Sequence, residues 1–216
     1  LQFSDIETLQ GGSFADVFNV NEDYTANLRG GLGDDTFNLN ASLTGTVNGQ
    51  EGADTLQGSL VDNVTLTDVG SVDGFQGDEP DLTHFDNIDA IFGNGGTLTG
   101  LSVPSIWRLD GTPTYEAAGN VLEIGGFENL QGGSSTDDFL VTAASTFNLF
   151  GGNGVDLFDI DATLSGSIAG QSGIDTLQGD LIDDVTLFGS DSDGFSGGEL
   201  DVVGSFSGIN TITGNG

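Results

Sequence analysis

The chain of 216 residues has no cysteine, no methionine and no lysine, and a single histidine. Without cysteine no disulfide can hold it together, and without His or Cys clusters a zinc or copper site is disfavoured. Arg29 and Arg108 are its whole basic complement against 34 acidic residues, a formal charge of −32. Such a chain repels nucleic acid and anionic membrane surfaces, so neither is expected as a partner. No apolar run is long enough to span a bilayer, and no signal peptide or lipidation motif is read. Prolines number three and no collagen-like triplet occurs. His84, with no second histidine and no nucleophile constellation, reads as a turn or rim residue, and Ser/His/Asp catalysis lacks its parts.

What the chain does have is glycine, 37 residues of it, and an apolar fraction of 36% that includes 15 Phe. An acidic chain can be disordered for want of apolar surface to bury. Here the apolar residues are both numerous and regularly placed, which points to turn-rich β structure.

The regularity has two scales. IETLQGGSFADVFNV (6–20) matches FENLQGGSSTDDFLV (127–141), GGLGDDTFNLN (30–40) matches GGNGVDLFDID (151–161), and GQEGADTLQG (49–58) matches GQSGIDTLQG (170–179), all at an offset of 121. FDNIDAIFGNG (85–95) aligns with FSGINTITGNG (206–216) at the same offset. The expected organisation is a first unit, 1–121, and a second, truncated unit, 122–216, of a chain that reads as excised from something longer.

Inside each unit the period is 19. Asp16, Asp35, Asp54 and Asp73 keep it, as do Phe18, Phe37, Leu56 and Phe75, and Leu9, Leu28, Val47, Leu66 and Phe85. The second unit repeats the pattern with Asp137, Asp156, Asp175 and, one residue early, Asp193; its apolar rows are Phe139, Phe158, Leu177, Phe195 and Leu130, Leu149, Ile168, Leu187. Phe37 and Leu39 alternate with Thr36, Asn38 and Asn40, the period-2 pattern of a half-buried strand. Two short strands and two turns per 19 residues make one rung, and no rung can bury its apolar face alone. The expected fold is all-β, a right-handed parallel β-helix or β-roll solenoid with rungs of about 19 residues. The segment from Ile88 to Gly126 breaks the rhythm, and Trp107 within it reads as packing in an enlarged rung.

The turn before each Phe strand carries the chemistry. GGLGDD (30–35) and GGNGVD (151–156) fit G-G-x-G-x-D in full; GGSFAD (11–16), GQEGAD (49–54), GGSSTD (132–137) and GQSGID (170–175) are degenerate copies. Glycine permits a left-handed backbone that turns carbonyls towards one point, and the aspartate adds a carboxylate, the oxygen donor set of a hard cation. Stacking would align the aspartates at about 5 Å, where each like-charge neighbour pair costs on the order of 3 kcal/mol at an effective dielectric of 20. Such a column needs cations between its rungs or raised carboxylate pKa values. Asp and Asn also favour turns with no metal at all.

GGLGDDTFN and GGNGVDLFD resemble the RTX (hemolysin-type) nonapeptide repeats, with Phe37 and Phe158 at the large apolar position. That resemblance implies a calcium-filled parallel β-roll in which Gly30, Gly31, Gly33, Asp35, Gly151, Gly152, Gly154 and Asp156 are ligand-bearing. It implies that Asp16, Asp54, Asp137 and Asp175 share in neighbouring sites. Two departures stand out: the motif occupies one side of each rung, since NEDYTA, NASLTG and DATLSG lack it, and most copies miss a glycine. FENLQGGSSTDDF, GADTLQG and the intervening WRLDG also resemble the tandem repeats of giant bacterial surface proteins of the filamentous-haemagglutinin-like or RTX-adhesin kind. That likeness implies secretion, calcium loading outside the cell, and a structural or adhesive role beside adjacent copies of the repeat, with a homo-oligomeric filament as one form. An enzyme is not expected: lyases on acidic glycans need basic side chains to neutralise substrate carboxylates, and two arginines are a poor supply. The alternative is a non-catalytic RTX-like module appended to a secreted polysaccharide-active enzyme, which flanking sequence would distinguish.

Overall fold

The computed structural model describes residues 6–199 and 203–214. Among the described residues there is no helix, and 24 strands form two mostly parallel sheets. Two compact units are present: Leu1–Leu98 with Asn120–Phe127, and Thr99–Gly119 with Glu128–Gly216.

In the first unit, Thr8–Gln10, Asn27–Leu32 and Leu43–Glu51 lie side by side in one sheet, and Val17–Val20, Thr36–Leu39 and Thr55–Gln57 in the other. Pairing is parallel and steps by 19 residues: Leu9 on Leu28 on Val47, and Phe18 on Phe37 on Leu56. Strand alternation decides which side chains go inside. Phe37 and Leu39 are fully buried while Thr36 and Asn38 are half-buried. Each such burial contributes roughly 1.5–3 kcal/mol. The Phe18 and Phe37 rings stack at 5.0 Å between centroids. Polar rows keep the same register: Asn38 Nδ2 donates to Asn19 Oδ1 at 3.0 Å, and Gln57 Nε2 to Asn38 Oδ1 at 2.7 Å.

The second unit repeats this arrangement. Leu130, Leu149 and Ile168 pair in one sheet, and Phe139, Phe158 and Leu177 in the other. Phe139 and Phe158 stack at 5.1 Å and 9°.

After two such steps the structure departs from the expected ladders. Asn63–Val69, Phe75–Glu79 and Leu82–Ile88 form an antiparallel meander, with Leu66 opposite Gly77 and Gly77 opposite Phe85. The connections 70–74 and 80–81 are too short for anything else, because a parallel connection needs a dozen or more residues. The third strand returns beside Leu43–Glu51 with Phe85 on Val47, and Ala90–Phe92 lies beside Thr55–Gln57 with Ile91 on Leu56. Phe85 and Ile91 therefore take the next ladder places, and Leu66, Phe75 and Asp73 do not. Val185–Ser190, Phe195–Glu199 and Val203–Ile209 repeat the meander, so Leu187, Asp193 and Phe195 leave the columns as well, and Phe206 and Ile212 come after Ile168 and Leu177.

A hairpin, Ser105–Leu109 and Thr114–Ala117, opens the second unit. Its first strand pairs in parallel with Asp137–Val141, setting Trp107 on Phe139. Trp107 is fully buried, stacked on Phe139 at 5.5 Å and 7° and tilted against Tyr115 at 4.4 Å. Its expected packing role is the one observed.

Candidate functional site

Each Phe-bearing strand is preceded by an aspartate that the 19-residue step places over its predecessor. These side chains turn inward, along the stack. Asp35 Oδ1 accepts the Asp16 N–H at 2.7 Å, and Asp54 Oδ1 the Asp35 N–H at 2.8 Å. In the second unit Asp156 Oδ1 accepts from Asp137 N at 2.9 Å, and Asp175 Oδ1 from Asp156 N at 3.0 Å. Each carboxylate thus satisfies a backbone donor one repeat earlier, at a turn where the strand ladder has not yet begun.

The column ends on residues that the 19-residue count does not reach. Asp54 N donates to Asp89 Oδ2 at 2.9 Å, and Asp175 N to Asn210 Oδ1 at 2.8 Å. A local signal marks both: Asp89-Ala-Ile91 and Asn210-Thr-Ile212 reproduce Asp54-Thr-Leu56 ahead of a short strand. Asp73, expected in this column, sits in the turn of the meander. Burial raises its pKa, a hydrogen bond from the Gly52 backbone opposes that, and the Glu51 and Asp86 charges add to it. Glu79, another residue without a motif, is buried in the same meander, and its Oε2 accepts the Asp81 N–H at 2.7 Å.

The second oxygen of the column aspartates is less well served. Asp35, Asp54, Asp156 and Asp175 are each at most 1% exposed, and in all four Oδ2 has no hydrogen-bond partner. Asp16 and Asp137, which open their units, differ, since their Oδ2 atoms accept the N–H of Gly12 at 2.6 Å and of Gly133 at 2.8 Å. Asp137 Oδ1 additionally meets the Ser105 hydroxyl. Burial is the main cause of raised pKa values along the column. It pushes Asp54 and Asp156 up to about 7 against the lowering effect of the backbone hydrogen bond, with column neighbours adding like charge. Asp137 rises to about 6, held back by Ser105 and Gly133, while Asp35 and Asp175 also rise.

The motif glycines divide by cause. Gly31, Gly33, Gly152 and Gly154 have φ of 123°, 102°, 105° and 145°. They also lack room, since a β-carbon on Gly31 or Gly152 would overlap the carbonyl oxygen of Gly12 or Gly133 one repeat earlier. Gly30 and Gly151 are required for a different reason: a β-carbon there would overlap Oδ2 of Asp35 or Asp156. Two of the degenerate turns, 49–54 and 170–175, keep a left-handed residue at the second position without the glycine, for Gln50 and Gln171 hold φ of 80° and 70°. In the turns 11–16 and 132–137 neither the second nor the fourth residue has positive φ. A missing second glycine therefore does not abolish the left-handed turn at 49–54 and 170–175, where the fourth glycine, Gly52 or Gly173, is kept.

All twelve residues expected to serve calcium lie along these two columns, six in each unit. No group of three or more His, Cys, Asp or Glu side chains converges on one point among the described residues. A cation here would draw on backbone carbonyls beside the orphaned Oδ2 atoms. Such carbonyls come from the adjoining rung: Gly49 O lies 2.6 Å from the point where a Gly30 β-carbon would stand, a point that Asp35 Oδ2 also crowds, and Gly170 O has the same relation to Gly151 and Asp156. An anionic oxygen with no donor on it, next to a carbonyl, is the donor chemistry of calcium, so the residues fit that ion.

Arg108 and His84 each face a carboxylate. Arg108 Nε donates to Glu116 Oε1 at 2.5 Å across the 105–117 hairpin, and His84 Nδ1 faces Asp78 at 2.8 Å. Comparison with family models, with curated proteins and with solved structures gives no match for this chain.

Proposed function

We propose that this chain is an extracellular structural or adhesive segment of a large secreted bacterial surface or filament protein. It is a right-handed parallel β-helix or β-roll in which calcium, bound at the GGxGxD-type turns, neutralises the aspartate columns. No catalytic role is assigned to it. Its partners are calcium ions and adjacent copies of the same repeat. The observation that carries this reading is the pair of columns at the 19-residue register in which Asp35, Asp54, Asp156 and Asp175 are buried with Oδ2 left without a partner. Water cannot reach these oxygens, so their charge must be met by a proton or by a cation. Calcium outside a cell supplies the cation, and its binding would add directly to folding stability. The polar outer rows and the repetition of one unit suit a scaffold rather than a pocket.

The test is thermal unfolding at pH 8 in millimolar calcium and in excess chelator. The melting temperature should be markedly higher with calcium, magnesium should substitute poorly, and calorimetry should show binding lost on replacing Asp35 and Asp156. A melt that is the same in calcium and in chelator removes calcium from the proposal.

A further inference from the structure

The opening edges of the two units are built alike and covered differently. In the second unit Asp137 and Phe139 are both fully buried, beneath the Ser105–Leu109 strand. Three contacts make that cover. Ser105 Oγ meets Asp137 Oδ1, the Ser105 N–H donates to Thr136 O at 3.0 Å, and Trp107 stacks on Phe139. In the first unit the matching residues are Asp16, Ala15 and Phe18, in the same GG-x-x-x-D-x-F frame. Here Asp16 and Phe18 are only half-buried, Val17 is 64% exposed and Phe14 is 85% exposed. Val17–Val20 pairs with Thr36–Leu39 on one side and is the terminal strand of its sheet among the described residues.

The chemistry of the uncovered edge matches that of the covered one. Asp16 Oδ2 takes the Gly12 N–H as Asp137 Oδ2 takes that of Gly133. Asp16 Oδ1 then corresponds to the oxygen that Ser105 meets. Phe18 stacks on Phe37 at 5.0 Å as Phe139 does on Phe158 at 5.1 Å, leaving its other ring face where Trp107 would lie. An open strand edge flanked by exposed aromatic and branched side chains is a template for a further strand.

We infer that the edge formed by Gly12–Val20 is a docking surface for the 105–117 hairpin of a second copy of this repeat unit. That hairpin adds a parallel strand to Val17–Val20, caps Asp16 with its serine hydroxyl and stacks its tryptophan on Phe18. The hairpin thereby acts as a coupler between repeats, and Asp16 becomes as buried as Asp137. This rests on reading the chain as a stack of repeats.

The full chain can be tested with an added copy of its own residues 96–121 placed directly before Leu1, because Leu1 corresponds to Leu122 at the 121-residue offset. Amide hydrogen exchange across Val17–Val20 should slow by about tenfold or more, the protection expected when a frayed edge joins a cooperative unit. The melting temperature should rise with it. Trp107→Ser made in the added copy alone should remove most of the gain, while the original Trp107 continues to cover Phe139. Unchanged exchange at Val17–Val20, or equal protection by the Trp107→Ser copy, overturns the inference. Each comparison is made between extended and unextended chains within one buffer. The calcium proposal is judged separately, on the unextended chain between calcium and chelator, so either can fail alone.

Discussion

Replacing Asp156 with Asn should have opposite effects on stability with and without calcium. Asp156 is 1% exposed; its Oδ1 accepts the Asp137 N–H at 2.9 Å and its Oδ2 has no partner. Asparagine keeps the acceptor and turns an amide donor towards the Gly170 carbonyl, as Asn210 already serves Asp175 N at 2.8 Å. The rise of the Asp156 pKa from 3.8 to about 7 means that ionising it in the fold costs up to about 4 kcal/mol at alkaline pH, at 1.36 kcal/mol per pKa unit. In chelator at pH 8 Asp156→Asn should therefore melt higher, by roughly 2–4 °C for each kcal/mol recovered. At pH 5 the parent carboxyl is largely protonated in the fold, and most of that advantage should vanish. In calcium the order should reverse, because the parent gains binding free energy that the amide cannot supply at that turn. Differential scanning calorimetry at pH 5 and 8, with calcium or chelator, resolves all four cases. A variant less stable than the parent in chelator at pH 8 would refute the claim that the orphaned oxygen is costly. An undiminished calcium response would refute the site.

The metal-free parent should itself become more stable as the pH falls from about 8 towards 5. Column pKa values are raised by burial, so the fold binds more protons than the unfolded chain, and the stabilisation present at low pH is lost as the pH rises through about 7 for Asp54 and Asp156. A pH series of chelator melts that is flat or of opposite slope counts against this. Gly31→Ala should cost well over 1 kcal/mol or prevent folding, since it meets both a φ of 123° and the Gly12 carbonyl; Gly111→Ala, at φ 104° with nothing within 4 Å, should cost only about 1 kcal/mol. Urea unfolding of the two variants distinguishes backbone strain from crowding. Trp107→Ala should cost about 3–5 kcal/mol, the range for emptying a buried aromatic site, and hydrogen exchange should show the Asp137–Val141 strand opening first.

Much of this protein can be read from the chain itself. The 19-residue spacing of Leu9, Leu28 and Val47, and of Phe18, Phe37 and Leu56, is the register in which those residues pair. Parallel in-register stacking converts a period in sequence directly into contact in space, and strand alternation then settles which residue of each pair is buried. For the same reason the aspartates preceding those strands fall into columns, and left-handed turns fall at motif glycines such as Gly31 and Gly152.

Tertiary structure decided the rest. Leu66, Asp73 and Phe75 keep the 19-residue count yet leave the ladders, because connections as short as 80–81 permit only antiparallel pairing. A count of residues carries no strand direction; the length of the connection does. The spacing puts the aspartates in a column without saying which way they point. In the fold they turn inward to cap the backbone one repeat earlier, crowding the glycine five positions before them. That orientation depends on the neighbouring rung, which no local motif contains. Nor does the local motif distinguish Asp16 from Asp137, two aspartates in the same GG-x-x-x-D-x-F frame. Only the hairpin lying over one of them makes it buried, and the other remains an open edge.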